Sequence, residues 1–183
     1  MIIAFTGAGI SKESGISTFI DRPDVRDRLY RSFANSYPEE YRQTIKELSE
    51  SIKEAEPNDA HYALADYDIP IITMNIDGLH EKAGSKPILL HGSLPTEDEY
   101  AYADELFNKP VLYGDPAPNY HKAYQKVMKL KENDTLLVIG ASRFTGIAVD
   151  LRELAYSNGV NIIEIQDNAS RKVRETLEHI TKK

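Results

Sequence analysis

Apolar residues fall in short, nearly continuous runs at 2–5, 69–73, 87–90, 110–113, 135–139 and 160–165. Most span four to six residues and are rich in Ile, Val and Leu. A strand wet on one face alternates, whereas a strand covered on both faces does not. These runs therefore predict a parallel sheet held between helix layers. Between them, apolar positions follow helical spacing. Over 39–55 they are Tyr41, Ile45, Leu48, Ile52 and Ala55; over 120–130, Ala123, Val127 and Leu130; over 170–181, Val173, Leu177 and Ile180. Another helix over 148–157 ends at Asn158-Gly159, a favourable stop. Asn58 can cap a short helix through His61 and Leu64. Strands alternating with helices predict a doubly wound α/β fold.

Two stretches fit the sheet less well. Residues 20–57 read as a mainly helical insertion, and residues 93–109 as a short acidic segment with Glu97, Asp98, Glu99, Asp104 and Glu105. Both are expected at the sheet edge formed by the C-terminal ends of the strands, where open α/β folds place their ligands. The 183 residues suit a single domain, and no internal repeat is visible.

The charge changes the picture modestly. With 22 Lys and Arg against 29 Asp and Glu, the net charge is −7, which argues against non-specific nucleic-acid binding. The absence of cysteine excludes disulfides, thiolate metal sites and a cysteine nucleophile. No run approaches a membrane span, and the first residues read as a strand, not a signal peptide. A cytoplasmic protein with no membrane partner is expected; the sequence leaves the oligomeric state open.

Candidate chemistry sits at the ends of the apolar runs. Thr6-Gly7-Ala8-Gly9 follows the first, and a helix starting near Ser11 would aim free N–H groups at a phosphate. The usual dinucleotide pattern wants a third glycine where Lys12 stands, so that fingerprint fails. Asn75 and Asp77 follow the second run; by themselves they suit an Asx turn before Gly78 as well as a binding pair. His91 ends the run 88–90, placed for proton transfer near neutral pH or as an ordinary buried histidine. His61, His80, His121 and His179 read as ordinary positions. Gly140-Ala141-Ser142 forms a small turn after the run 135–139, able to accept a ribose or phosphate.

Taken in order, GAGIS, SGI and Phe19, NDAHYAL, TMNIDGLHEKAG, LLHGS, PVLYGD and VIGAS with VNIIEIQ resemble the sirtuin (Sir2) family along most of the chain. The resemblance implies a Rossmann-like domain with NAD as co-substrate and an acylated-lysine protein or peptide as partner. The reaction it implies is lysine deacylation, releasing nicotinamide and O-acyl-ADP-ribose. His91 matches the catalytic base, and Asn75 the residue that contacts ribose and orders water. Ile76 and Asp77 match the carboxamide pocket, and Gly7, Ala8, Gly9 and Ser11 the phosphate and ribose loop. Ile16 and Phe19 match the cofactor loop, with Phe19 shielding the ribose, and Arg22 is the candidate substitute for the arginine that usually follows the aromatic. Met74, Gly140, Ala141, Ser142, Gln166, Asp167 and Asn168 complete the implied cofactor contacts. Tyr113, Gly114 and Asp115 match the loop that pairs with an extended substrate peptide.

Four departures accompany the match. The family's thiolate zinc module is replaced by the short segment 93–109, so no zinc is expected. Ile20 stands where arginine is usual, Met74 where glutamine is usual, and Gln166 where asparagine is usual. Two other readings stay open: NAD hydrolysis or ADP-ribosyl transfer on the same site, and an NAD- or ADP-ribose-binding module with little catalysis.

Overall fold

The structure, a computed structural model, describes residues 1–17 and 21–182. Phe19 and Ile20 lie outside the described residues. In chain order the elements are β1 (Ile2–Thr6), a 3-10 helix (Ala8–Ser14), α1 (Pro23–Arg26), α2 (Arg31–Ser36) and α3 (Pro38–Ile52). Then come α4 (Asp59–Asp66), β2 (Ile71–Thr73), α5 (Leu79–Lys82), β3 (Ile88–Leu89) and a second 3-10 helix (Glu97–Glu105). The chain ends with α6 (Tyr120–Met128), β4 (Thr135–Ile139), α7 (Gly146–Ser157), β5 (Asn161–Ile165) and α8 (Ala169–Thr181).

The strands form one parallel sheet in the order β3-β2-β1-β4-β5. This is the Rossmann-like doubly wound arrangement. Side chains along a strand point alternately to opposite faces. Ile3, Phe5, Leu136 and Val138 therefore pack on one side against α6 and α7, where Val127 and Leu151 are sealed from solvent. Ala4, Leu137 and Ile139 pack on the other side against α4 and α8, around Leu64 and Val173. A third, smaller core lies off the sheet. In it Leu29, Tyr41 and Ile45 pack against Ala103 and Leu112.

Three sequence expectations need correction. The run 110–113 is not a strand; only Tyr113 forms an isolated bridge, to Tyr30. Pro110 has no N–H to donate, and the segment's bonds go to different partners: Val111 N–H to His91 O, Leu112 N–H to Asp115, and Tyr113 to Leu29 O and Arg31 N–H. The helix expected from Ser11 is a 3-10 turn beginning at Ala8. Strands β2 and β3 are shorter than their apolar runs: Pro70 precedes β2, and the chain turns away at Leu90.

Candidate active site

β1 runs up the middle of the sheet, with β2 and β3 to one side and β4 and β5 to the other. The crevice at such a switch of direction, outside the strand ends, is where α/β sheets bind ligands. Here the two central loops interlock. Gly7 N–H bonds Ile139 O at 3.0 Å and Gly9 N–H bonds Gly140 O at 2.9 Å. A Cβ on Gly9 would stand 2.6 Å from Gly140 Cα, and one on Gly140 would stand 2.4 Å from Ile10 N. Gly140 also has a φ of +58°. Bare backbone is the only fit. The Gly7 and Gly9 amides therefore brace the loop against β4 instead of facing outward, unlike the sequence expectation.

Asn75 and Asp77 follow β2. Asn75 N–H bonds Thr73 Oγ1 at 3.1 Å and its Nδ2 bonds Gly7 O at 3.0 Å. Among the described residues no donor is bonded to Oδ1 of Asn75, which is left for a ligand or a water. Asp77 Oδ1 accepts from Leu79 N–H at 3.0 Å, so the Asx turn read from sequence is real. The other oxygen, Oδ2, accepts from Ser11 Oγ at 2.6 Å. Turn and inter-loop bond coexist, joining the loop after β1 to the loop after β2. Ile76 lies half-buried between them, and Met74 packs onto the core beside Gly7.

Two further histidines lie beneath this pair, neither of which the sequence distinguished. His61 Nδ1 accepts from Asn58 N–H at 3.1 Å, so its Nε2 carries the proton and faces Ser11 Oγ at 3.5 Å. His80 Nε2 lies 2.8 Å from Thr6 Oγ1, and Thr6 donates to Thr73 Oγ1 at 2.7 Å. The two rings meet edge-on with centroids 5.0 Å apart. Burial, with the neighbouring His61 adding to it, pushes His80 down to about 3. Burial also holds His61 below its ordinary value, against the opposing pull of Asp77. Both rings are neutral supports.

His91 leaves the end of β3. Its Nδ1 is 3.1 Å from Met74 O and its Nε2 is 2.9 Å from Tyr120 Oη. Burial lowers its pKa, and the bond to Met74 only partly restores it. The ring is thus neutral near pH 7, with its lone pair on Nε2, as a general base requires.

The remaining expected positions spread along the same edge. Ala141 is buried, and its carbonyl accepts from Gln166 Nε2 at 3.2 Å and from Arg152 at 3.1 Å. Ser142 O accepts from Arg152 at 3.0 Å. Arg152, held in turn by Glu164, pins the loop after β4 and was not signalled by the sequence. Asp167 is exposed and paired to Lys172, and Asn168 takes left-handed backbone before α8. Ile16 N–H bonds Ser11 O at 3.3 Å. Arg22 is exposed and paired with Asp24.

Tyr113, Gly114 and Asp115 follow Leu112 of the third core, with Tyr113 and Gly114 exposed. Tyr113 is already paired through its backbone: its N–H bonds Leu29 O and its C=O accepts from Arg31 N–H, both at 2.9 Å. Asp115 takes a two-pronged bond from Arg31 at 2.7 and 2.8 Å. Only part of this loop's backbone is left for a peptide strand.

A set consisting of a carboxylate fixed by Ser11, an amide oxygen, a neutral imidazole and a glycine-braced loop suits a ligand with hydroxyl, carboxamide and phosphate groups. It fits NAD. A thiolate zinc site does not fit, because the chain has no cysteine.

A sequence profile of the Sir2 family matches residues 7–98. Among curated proteins, an NAD-dependent protein deacylase of Thermococcus sibiricus is 33% identical over 92% of this chain and 81% of its own. An NAD-dependent protein deacetylase of Bacillus cereus is 35% identical over 77% of this chain and 71% of its own. Among solved structures, a Sir2 homologue in complex with NAD superposes with a TM-score of 0.80 at 26% identity, covering 99% of this chain and 89% of that one.

Proposed function

The chain belongs to the Sir2 family, the sirtuins, and from that premise we propose that it is an NAD-dependent protein-lysine deacylase, releasing nicotinamide and O-acyl-ADP-ribose. The observation that carries the reading is the convergence of Ser11, Asn75, Asp77 and His91 on the crevice between the loops after β1 and β2. Relatives from two organisms named for NAD-dependent deacylation support it.

Bound NAD would supply an activated glycosidic carbon whose leaving group is nicotinamide. The residues of this chain supply placement and proton transfer. Asp77, kept in orientation by Ser11 and Leu79 N–H, is assigned to the carboxamide. Asn75 would hold ribose or an ordered water through Oδ1, and the braced loop at Gly7, Ala8 and Gly9 would line the phosphates. His91, neutral with its lone pair on Nε2 toward Tyr120 Oη, serves as the base toward ribose hydroxyls. Ile16, Phe19, Arg22, Met74, Ile76, Gly140, Ala141, Ser142, Gln166, Asp167 and Asn168 complete the proposed cofactor surface. An acylated-lysine peptide would lie against Tyr113, Gly114 and Asp115. In this reading one Rossmann-like unit carries the helical insertion 20–57 and the shortened segment 93–109. It works in the cytoplasm and without zinc.

The test is nicotinamide release with an acetyl-lysine peptide. Turnover should require both the peptide and His91, and His91→Ala should lower it by about 10²-fold or more. No turnover across a range of acyl chain lengths would sink the proposal.

A second reading is favoured by one observation. Because the Tyr113 backbone is already bonded to residues 29 and 31, the peptide edge is narrow. NAD hydrolysis or ADP-ribosyl transfer needs less of that edge. Rapid nicotinamide release without peptide would select it.

A further inference from the structure

Tyr120 has no role in the reading above, yet its hydroxyl is in contact with the proposed base. Tyr120 Oη lies 2.9 Å from His91 Nε2, and the two rings are tilted at 47° with centroids 5.9 Å apart. The direction of the bond follows from the other side of the imidazole. Met74 O, 3.1 Å from Nδ1, can only accept, so Nδ1 carries the hydrogen. A neutral ring protonated there offers a single in-plane lone pair at Nε2. The phenol must therefore donate, and it takes up the only basic position His91 has.

The contact is built into the framework. Tyr120 is the first residue of α6, and the preceding Asn119 bonds Leu89 O through Nδ2 at 2.9 Å. That ties the start of α6 to β3, two residues before His91. Val111 N–H holds His91 O at 2.8 Å from the other side. Base and phenol thus sit on two segments fastened to each other.

We propose that Tyr120 is a proton-relay residue through which His91 acts on the substrate hydroxyl. The proposal rests on the reading of His91 as base. In the step, a substrate hydroxyl approaches Tyr120 Oη. Its O–H bond breaks as the proton passes to Oη, while the proton already on Oη passes to His91 Nε2. The substrate oxygen keeps the electron pair and becomes the nucleophile. Tyr120 ends neutral with a new proton. His91 ends as imidazolium, with Nδ1–H still on Met74 O and Nε2–H now donated to Oη. Charge balances and no co-reactant is needed. Burial holds His91 below and Tyr120 above their ordinary values, so both rest neutral, as the relay requires.

The test uses Tyr120→Phe and two independent readouts. The first needs no substrate: carbethoxylation of His91 by diethyl pyrocarbonate, located by peptide mass, with exposed His121 as internal reference. His91 should react slowly in the wild type and several-fold faster in the variant. Equal rates would show that the phenol does not hold Nε2 and would overturn the proposal. The second is turnover with NAD and acetyl-lysine peptide. Here kcat should fall by about 10²-fold with both KM values little changed, while exchange of labelled nicotinamide into NAD, which precedes the base step, continues. An unchanged or raised kcat in Tyr120→Phe, with His91→Ala inactive, would overturn the relay alone. Retained turnover in His91→Ala would instead remove the base assignment. The wild type gives a check that does not depend on the variant folding. A two-proton relay predicts a curved dependence of kcat on the deuterium fraction of the solvent, and a straight line contradicts it.

Discussion

At the scale of single residues, the buried histidines set how this site responds to acid. His80, His61 and His91 are all held neutral below the ordinary histidine value by burial. A histidine whose folded pKa is depressed binds fewer protons folded than unfolded. Its contribution is complete above about pH 6.5 and is lost as pH falls toward the folded value. For His80 that window runs from about 6.5 down to about 3. Denaturant melts at stepped pH should therefore show stability falling steadily below pH 6.5, by a few kcal/mol in total. His80→Asn should flatten the slope; an unchanged slope would contradict the assignment. The acid limb of turnover should fall below pH 6.5, where His91 takes up its proton. Ser11→Ala removes the hydroxyl that fixes Asp77 and should raise KM for NAD about tenfold, as expected for loss of a hydrogen bond to a charged group. These dependencies were only partly legible in the sequence. Asn75, Asp77 and His91 announced themselves by standing at strand ends. His61, His80 and Tyr120 did not, because their meaning lies in contacts with residues 29 to 74 positions away.

At the scale of elements, the third core is fastened by one arginine. Arg31, on α2, grips Asp115 with two bonds, donates to Asp104 O and Leu106 O at 2.7 and 2.8 Å, and lies 4.2 Å over the Phe107 ring. Arg42 pairs with Asp104 and Lys109 with Glu99. The acidic stretch 93–109, which as sequence reads as surface decoration, thus finds one cation on α3, Arg42, and one at its own end, Lys109. Burial alone would raise the Asp115 carboxyl, but Arg31 and Leu112 N–H outweigh it and hold it below the usual range. The Arg31 side chain is 14% exposed and that of Asp115 1%. Removing one partner of such a buried pair costs about 3–5 kcal/mol. Arg31→Met should lose that much in urea unfolding and raise KM for peptide more than KM for NAD. A loss below about 1 kcal/mol would mean that the apolar contacts alone suffice. Chelators should leave the melting temperature unchanged. The strand expected at 110–113 failed here because Leu112 serves this core and Pro110 cannot join a ladder.

At the scale of the whole molecule, the sheet order brings two glycine loops face to face. The alternation of apolar runs and helical spacings made the doubly wound fold readable, since a parallel sheet needs just that alternation. The interlock of Gly9 with Gly140 was not readable, because nothing local links residues 131 positions apart. Gly140→Ala meets backbone at 2.4 Å and forces alanine to φ +58°. It should cost about 2–4 kcal/mol by thermal unfolding and weaken NAD binding in the folded fraction. Wild-type stability in that variant would contradict the packing.

The most direct measurement is the stoichiometry of the reaction: protein with NAD, with and without an acetyl-lysine peptide, counting nicotinamide and deacetylated lysine together. A deacylase should form one nicotinamide per lysine freed and almost none without peptide. Nicotinamide formed equally fast in the absence of peptide, or NAD bound and never cleaved, would contradict that reading.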